Sequence, residues 1–304
     1  MHRKPEIAIV GLGRWGRVLL KELVQQTSVS MCHSRGSVET IDWLQTNYPT
    51  ITFTDSYENI LTNARIDAVV LATPPATHIE LAKKAVLAGK NVFVEKPMGE
   101  SVEDAISLAS LADARGKQLA VGYVFTHHPI FAYLHSIINK NTIRSISCTW
   151  HKWGSFETSA VTNLLCHDIS LFHMFGFTTL EAVTHTQEKR LTETDVLTTI
   201  FTDATGVQCS SFINRASEEI KQKKVEIQTD TYLYTWIHET LHVKDMATNE
   251  TTTVVVPNLQ QSAVSLEIQD FISACTHNQK PKVDGWFAVS VLRALDALPK
   301  KSSL

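Results

Sequence analysis

The residues best placed by type and spacing to do chemistry lie near the start of the chain. Gly11-Leu12-Gly13-Arg14-Trp15-Gly16 is a G-x-G-x-x-G run. It follows the apolar, β-branched stretch Glu6 to Val10 and leads into Arg17 to Leu23, where apolar residues recur at helical spacing. In a strand–turn–helix of this kind the first glycine permits a tight turn. The second lets the backbone approach a pyrophosphate, and the third lets helix and strand pack closely. The helix start adds unpaired N–H groups that attract phosphate oxygens. Gly11, Gly13, Arg14, Trp15 and Gly16 are therefore the candidate cradle of a dinucleotide. A second group, His33-Ser34-Arg35, ends the next strand. A carboxylate there would accept from a ribose 2′-hydroxyl and repel a 2′-phosphate, whereas Ser34 and Arg35 donate to one. This favours NADP(H) over NAD(H), the alternative being that Arg35 is a solvated loop residue.

The elements that must position these groups alternate along the first third of the chain. Strands are predicted at Val29 to His33, Ile51 to Phe53, Ala68 to Ala72, Asn91 to Val94 and Gln118 to Val121. Helices are predicted at Ser37 to Tyr48, Thr77 to Ala88 and Val102 to Ala114. This period implies an α/β, doubly wound Rossmann domain over 1–122, with ligands at the carboxyl ends of its strands. From about residue 123 the strands lengthen and alternate apolar with polar residues. They fall at Arg144 to Trp153, Leu180 to Gln187, Val196 to Asp203, Gln208 to Asn214, Lys224 to Asp230, Tyr232 to Glu239, His242 to Met246 and Thr252 to Val256. A C-terminal α+β domain over 123–304, built on a mostly antiparallel sheet, is expected. It closes with helices from Ser262 to Thr276 and Trp286 to Leu298, the last able to pack back on the first domain.

Four further motifs stand at strand ends or on a helix: Ala72-Thr73-Pro74-Pro75-Ala76-Thr77-His78, Glu95-Lys96-Pro97, Gly122-Tyr123 before His128-Pro129, and Asn163-Leu164-Leu165-Cys166-His167-Asp168-Ile169-Ser170 before Gly176. Together with the glycine loop they give a chain that resembles, along essentially its whole length, the glucose–fructose oxidoreductase / inositol dehydrogenase / MocA family of NAD(P)-dependent oxidoreductases. The resemblance implies that Thr73, Pro74 and His78 line the cofactor path and that Glu95 and Lys96 sit beside the nicotinamide. It implies that Lys96 touches the reacting oxygen, that a cis peptide precedes Pro97, and that His167 is the acid/base. Tyr123 and Asp168 are expected against the substrate. The physical chemistry agrees, because a hydride moved at a carbinol carbon requires a proton moved at its oxygen and stabilisation of the developing alkoxide. An ammonium serves the second need and a histidine the first. The sequence departs from the family where the position four before the histidine is usually Asp and here is Asn163, and where the usual Gly two before it is Leu165. An amide orients by hydrogen bonding but carries no charge. On an α-helix Asn163 and His167 would share a face, and Asp168 would lie about 100° away.

Trp150, Trp153 and Phe156 offer flat faces to a sugar ring, or equally to a core. The expected activity is hydride transfer between NADP(H) and a secondary alcohol or ketone of a sugar or sugar nucleotide. The alternatives are an imine or enone reductase of the biliverdin-reductase kind, and a dinucleotide-binding regulator without turnover. Composition bounds the partners. Over 304 residues, 43% hydrophobic and 19% charged with net charge −3 suit a globular protein with no basic field for nucleic acid. No apolar run reaches the ~20 residues of a membrane span. Met1 to Lys4 leads into a strand, not a signal peptide. The five separated cysteines read as reduced thiols of a cytoplasmic protein. His127, His128, His167 and His173 lack the spacing of a metal site, so none is expected. A homodimer or homotetramer is implied by the resemblance.

Overall fold

The computed structural model describes residues 3–154, 159–191, 195–218 and 221–299. In chain order the elements are β1 (Glu6–Val10), α1 (Arg14–Gln26), β2 (Ser28–His33), α2 (Val38–Asn47), β3 (Thr52–Thr54), α3 (Tyr57–Leu61), β4 (Ala68–Leu71), α4 (His78–Leu87), β5 (Asn91–Glu95), α5 (Val102–Ala114) and β6 (Leu119–Gly122). There follow α6 (Pro129–Ile137), β7 (Ile143–His151), α7 (Cys166–Met174), β8 (Leu180–Glu188), β9 (Val196–Asp203), β10 (Gln208–Asn214), β11 (Gln222–Thr229), β12 (Tyr232–Ile237), β13 (Thr240–Asp245), β14 (Thr251–Val254), α8 (Ala263–His277) and α9 (Gly285–Asp296).

The chain divides into two compact units, one of residues 1–124 and 262–289 and the other of 125–261 and 290–304. The sequence reading ran the second domain from 123 to 304 with its last helix able to pack back on the first domain; residues 262–289 cluster with the first unit. The first unit is a six-stranded parallel sheet in the order β3-β2-β1-β4-β5-β6. This is the doubly wound α/β arrangement expected, and β4 is buried at every position, as a strand covered on both faces must be. Leu19, Leu20 and Leu23 of α1 share one core with Ile7 and Ile9 of β1, Phe93 of β5, and Ile268, Phe271 and Ile272 of α8. Beyond α8, Val121 N–H donates to the Val283 carbonyl at 3.0 Å, and Ala120 and Asp284 form an antiparallel bridge.

The second unit is an eight-stranded sheet in the order β14-β13-β12-β11-β7-β10-β9-β8. All its pairings are antiparallel except β10 with β7. The alternation read from the sequence is the pleat itself: Ile146 and Cys148 of β7, Leu197, Thr199 and Phe201 of β9 and Val225 and Ile227 of β11 are buried, with less buried residues between them. Helix α7 is buried along its whole length. Among the described residues no helix is long and apolar enough to cross a membrane.

Candidate functional site

In the first unit the glycine loop leaves β1 and enters α1 at Gly13, the N-cap, which is extended and supplies no side-chain cap. No acidic residue occupies the first turn of α1, so its free N–H groups and positive end are left to an anion. Gly11 has φ +96°, and a Cβ there would stand 2.5 Å from the Ala72 carbonyl oxygen; a Cβ on Gly16 would overlap the Gly11 carbonyl. Beside Gly13, in contrast, a Cβ would meet nothing within 4 Å. The loop is thus closed against its own sheet and open on the side a phosphate would approach.

That open side is a cleft of about 670 Å³ lined by the glycine loop, His33 to Gly36, Tyr57, Ala72 to Pro74, Thr77, Glu80, Leu81 and Lys84, a size that suits a small-molecule cofactor. The donor set fits a dinucleotide. Ser34 and Arg35 stand at the end of β2 with no carboxylate beside them in the chain. His33 donates from Nδ1 to the Thr54 carbonyl at 3.0 Å, and its ring stacks with Tyr57 at 6.1 Å. The Glu80 carboxylate accepts from Lys84 at 2.6 Å, and Lys84, followed by Arg35, holds its pKa low. One carboxylate facing two cations leaves this corner of the cleft positive.

Lys96 stands just past the end of β5, half-buried, with a cis peptide to Pro97. The preceding Glu95 is buried and accepts from the Trp15 indole N–H and from the Lys96 backbone N–H at 3.3 Å. Burial pushes its carboxyl up to about 7, against the Trp15 bond and the Lys96 charge. Gly122 is glycine for a local reason: a Cβ there would come 2.9 Å from Glu95 Oε1. His78 fastens the same loop. Its Nδ1 lies 2.8 Å from the Pro97 carbonyl and its Nε2 2.8 Å from the Thr73 carbonyl. The carbonyls favour a proton on both nitrogens, burial opposes it, and burial dominates, so the pKa falls below the ordinary imidazole value.

In the second unit His167 lies on α7, preceded by a π-helical turn at Val161–Leu165. The Cys166 N–H reaches back to the Val161 carbonyl, so the α-helical spacing expected to align Asn163 with His167 does not hold across this turn, which bears Asn163. π-Turns are common at functional sites. The His167 ring stands edge-on to Phe125 at 5.2 Å and lies 6.0 Å from Trp150. Asp168 has no exposed surface; it accepts from Lys223 Nζ at 2.5 Å and from the Ser211 hydroxyl at 2.6 Å.

The expected cofactor residues Gly11, Gly13, Arg14, Trp15, His33, Ser34, Arg35, Thr73 and Pro74 line one cleft. Gly16, His78 and Glu95 shape its supports. Two substrate expectations meet different surroundings. Asp168 is sealed beneath α7 by Lys223 and Ser211, and Tyr123 has no exposed surface, its ring 6.2 Å from Phe287. Trp153 is 47% exposed and pairs with Ala216 in an isolated bridge; Phe156 lies outside the described residues. Sequence reasoning missed Tyr57, Glu80 and Lys84 in the cleft, Lys223 beside Asp168, and Glu267 of α8. Glu267 is buried in the first unit, its pKa raised by burial and then by Glu95 and Asp270. Its signal was a carboxylate set on the apolar face of an amphipathic helix. Among the described residues no three His, Cys, Asp or Glu side chains gather as a metal requires.

Residues 6–123 match the model of an oxidoreductase family with an NAD-binding Rossmann fold. The chain is 25% identical over 243 residues to UDP-N-acetylglucosamine 3-dehydrogenase of Acidithiobacillus ferrooxidans, covering 76% of this chain and 77% of that one. It is 30% identical over 149 residues to an uncharacterized oxidoreductase of Synechocystis, covering 48% of this chain and 40% of that one. The solved structure of the Acidithiobacillus ferrooxidans dehydrogenase GnnA superposes with a TM-score of 0.87 at 22% identity, over 98% of this chain and 97% of that one. GenD2 from gentamicin A biosynthesis, solved with NAD, gives 0.84 at 23% identity over 98% and 93%. A KijD10 3-ketoreductase mutant from Actinomadura kijaniata, solved with TDP-benzene and NADP, gives 0.83 at 18% over 97% of each chain. These structures share the fold of both units.

Proposed function

We propose, for a chain that belongs through residues 6–123 to the Gfo/Idh/MocA oxidoreductase family, that it moves a hydride between NADP(H) and a secondary alcohol or ketone of a sugar or sugar nucleotide. The observation that carries the reading is the bond from the Trp15 indole to Glu95. It brings the phosphate-cradling loop within one side chain of Lys96, so a cofactor held by the first has the second beside it.

The nicotinamide, when bound, supplies or accepts the hydride. The backbone N–H groups at Gly13 and the start of α1 hold phosphate, and Ser34, Arg35 and Lys84 offer donors to a 2′-phosphate. Glu95 and His78 fix the loop on which Lys96 rides. The Lys96 ammonium stabilises negative charge on the reacting oxygen, and His167 takes or returns the proton there. Asn163 orients by hydrogen bonding without supplying charge. The relative named for a UDP-linked sugar supports the substrate class. A cytoplasmic homodimer or homotetramer belongs to the same reading, and light scattering measures the assembly.

Calorimetric titration with NADPH and with NADH tests the cofactor assignment; tighter NADPH binding is expected, and an NADH preference refutes the phosphate role of Ser34 and Arg35. A turnover screen of sugars and sugar nucleotides follows. Lys96→Ala should cost about 10²- to 10⁴-fold in kcat with cofactor affinity retained. Binding of neither cofactor overturns the proposal.

A further inference from the structure

Lys223 is a lysine that composition rules would place in solvent, yet its side chain is 8% exposed and its partner Asp168 is 0% exposed. Its ammonium lies 3.7 Å from the Trp150 ring centroid and 4.6 Å from that of Phe125, both within cation–π reach. These are the two rings that hold the His167 imidazole. Asp168, the neighbour of His167 in the chain, takes its second hydrogen bond from Ser211. A cation and an anion have thus been paired out of water, the cation against the same two rings that contact one imidazole, an arrangement that packing alone would not select.

We propose that the Asp168–Lys223 pair is the positioning element of His167: Lys223 clamps the Phe125 and Trp150 rings that orient the imidazole, and its charge cancels that of Asp168 so that the imidazole faces a balanced pair. This rests on His167 carrying the proton in the proposed reaction. Other titratable groups among the described residues pack near these rings. Cys166 precedes His167, and Cys148 of β7 is buried next to Asp168, which helps to hold its thiol protonated. Lys152 Nζ lies 6.0 Å from the Trp150 ring centroid. His128 pairs with Glu239 at 2.7 Å beyond Trp236, the ring that stands 6.1 Å from Phe125. A lone cation beside an imidazole disfavours its charged form, and a lone anion favours it. Cutting the pair on one side or the other must therefore move His167 in opposite directions.

The test follows the His167 ring by NMR of histidine-labelled protein, its signal assigned by loss in His167→Gln, together with the pH profile of kcat/KM in the oxidative direction. Lys223→Met should raise the pH at which the imidazole takes its proton, and the acid limb of the profile, by about one unit. Asp168→Asn should lower both by a similar amount. The double variant, which leaves neither charge uncompensated, should return both close to the native values; it also guards against loss of fold, because removing a buried pair entire is tolerated far better than halving it. Shifts of the same sign in both single variants, no shift in either, or a double variant that does not return would overturn the proposal. The NMR titration needs no substrate. If no alcohol or ketone turns over, the function proposed above falls, while the role of the pair is still decided.

Discussion

The two units bury titratable groups of opposite kind, and pH strains them from opposite sides. In the first unit burial pushes the Glu95 carboxyl up to about 7. In the second, burial of His173, whose Nδ1 lies 2.9 Å from the Ile169 carbonyl, pushes its imidazole down to about 4. Between its ordinary value of 4.5 and 7, Glu95 binds more proton folded than unfolded, so the stability of the first unit falls as pH rises through that window. Between 4 and its ordinary 6.5, His173 binds more proton unfolded, so the stability of the second unit falls as pH falls. Each unit keeps its group in the neutral form for which its interior is built. The contrast teaches that one chain can set its pH optimum for stability from both sides with residues of separate units.

The largest effect expected is one that breaks the comparison. Gly16→Ala drives a methyl group into the Gly11 carbonyl, and a backbone clash of this kind should destabilise the first unit by more than about 3 kcal/mol equally at pH 5 and pH 8 in denaturant melts. Glu95→Gln sharpens it. At pH 8 the variant should be more stable than the native protein by about 3 kcal/mol, and the difference should vanish towards pH 4.5. A pH-independent difference would show that Glu95 is not the group strained by alkali. His173→Leu is the counterpart: at pH 4.5 it should gain roughly 2 kcal/mol over native, the relief of protonation less one lost hydrogen bond. At pH 7 it should be slightly less stable. The smallest effect is expected of Arg3→Ala, which breaks a 2.8 Å pair with Asp67 whose arginine is 70% exposed; less than about 1 kcal/mol should be lost, and high salt should erase it.

Local rules made much of the fold legible. The glycine loop and the strands of both sheets are written in short-range pattern, and the strand ends fall within a residue or two of the structure. Two short helices escaped. α3 has only Ile60 and Leu61 to bury, too little for a period, and α6 hid behind His128-Pro129, where proline at the first helical position was a usable start signal. The candidate site was legible where it follows from backbone, as in the glycine loop that lines the cleft. It was not legible where function follows from meetings across the sheet. Alternation sets Lys223 on the inward face with Val225 and Ile227, but nothing in the run Lys221 to Val225 names Asp168 as its partner. Nothing near His78 announces that its two nitrogens meet the carbonyls of Thr73 and Pro97. Nothing in the sequence marked the π-turn at Val161–Leu165 that carries Asn163 towards His167.

The return of residues 262–289 to the first unit has a consequence for synthesis. The sheet of six strands is complete once Gly122 has left the ribosome, but Phe93 has no Phe271 to stand against, at 5.7 Å, and β6 has no Val283 to bond. At typical elongation rates of roughly 5–20 residues per second the nascent first unit must wait on the order of ten seconds or more, its apolar face open, while the whole second sheet is made. The order of translation thus gives the second sheet the chance to form before the first unit is finished, a vulnerability that a chaperone acting late on the ribosome would meet.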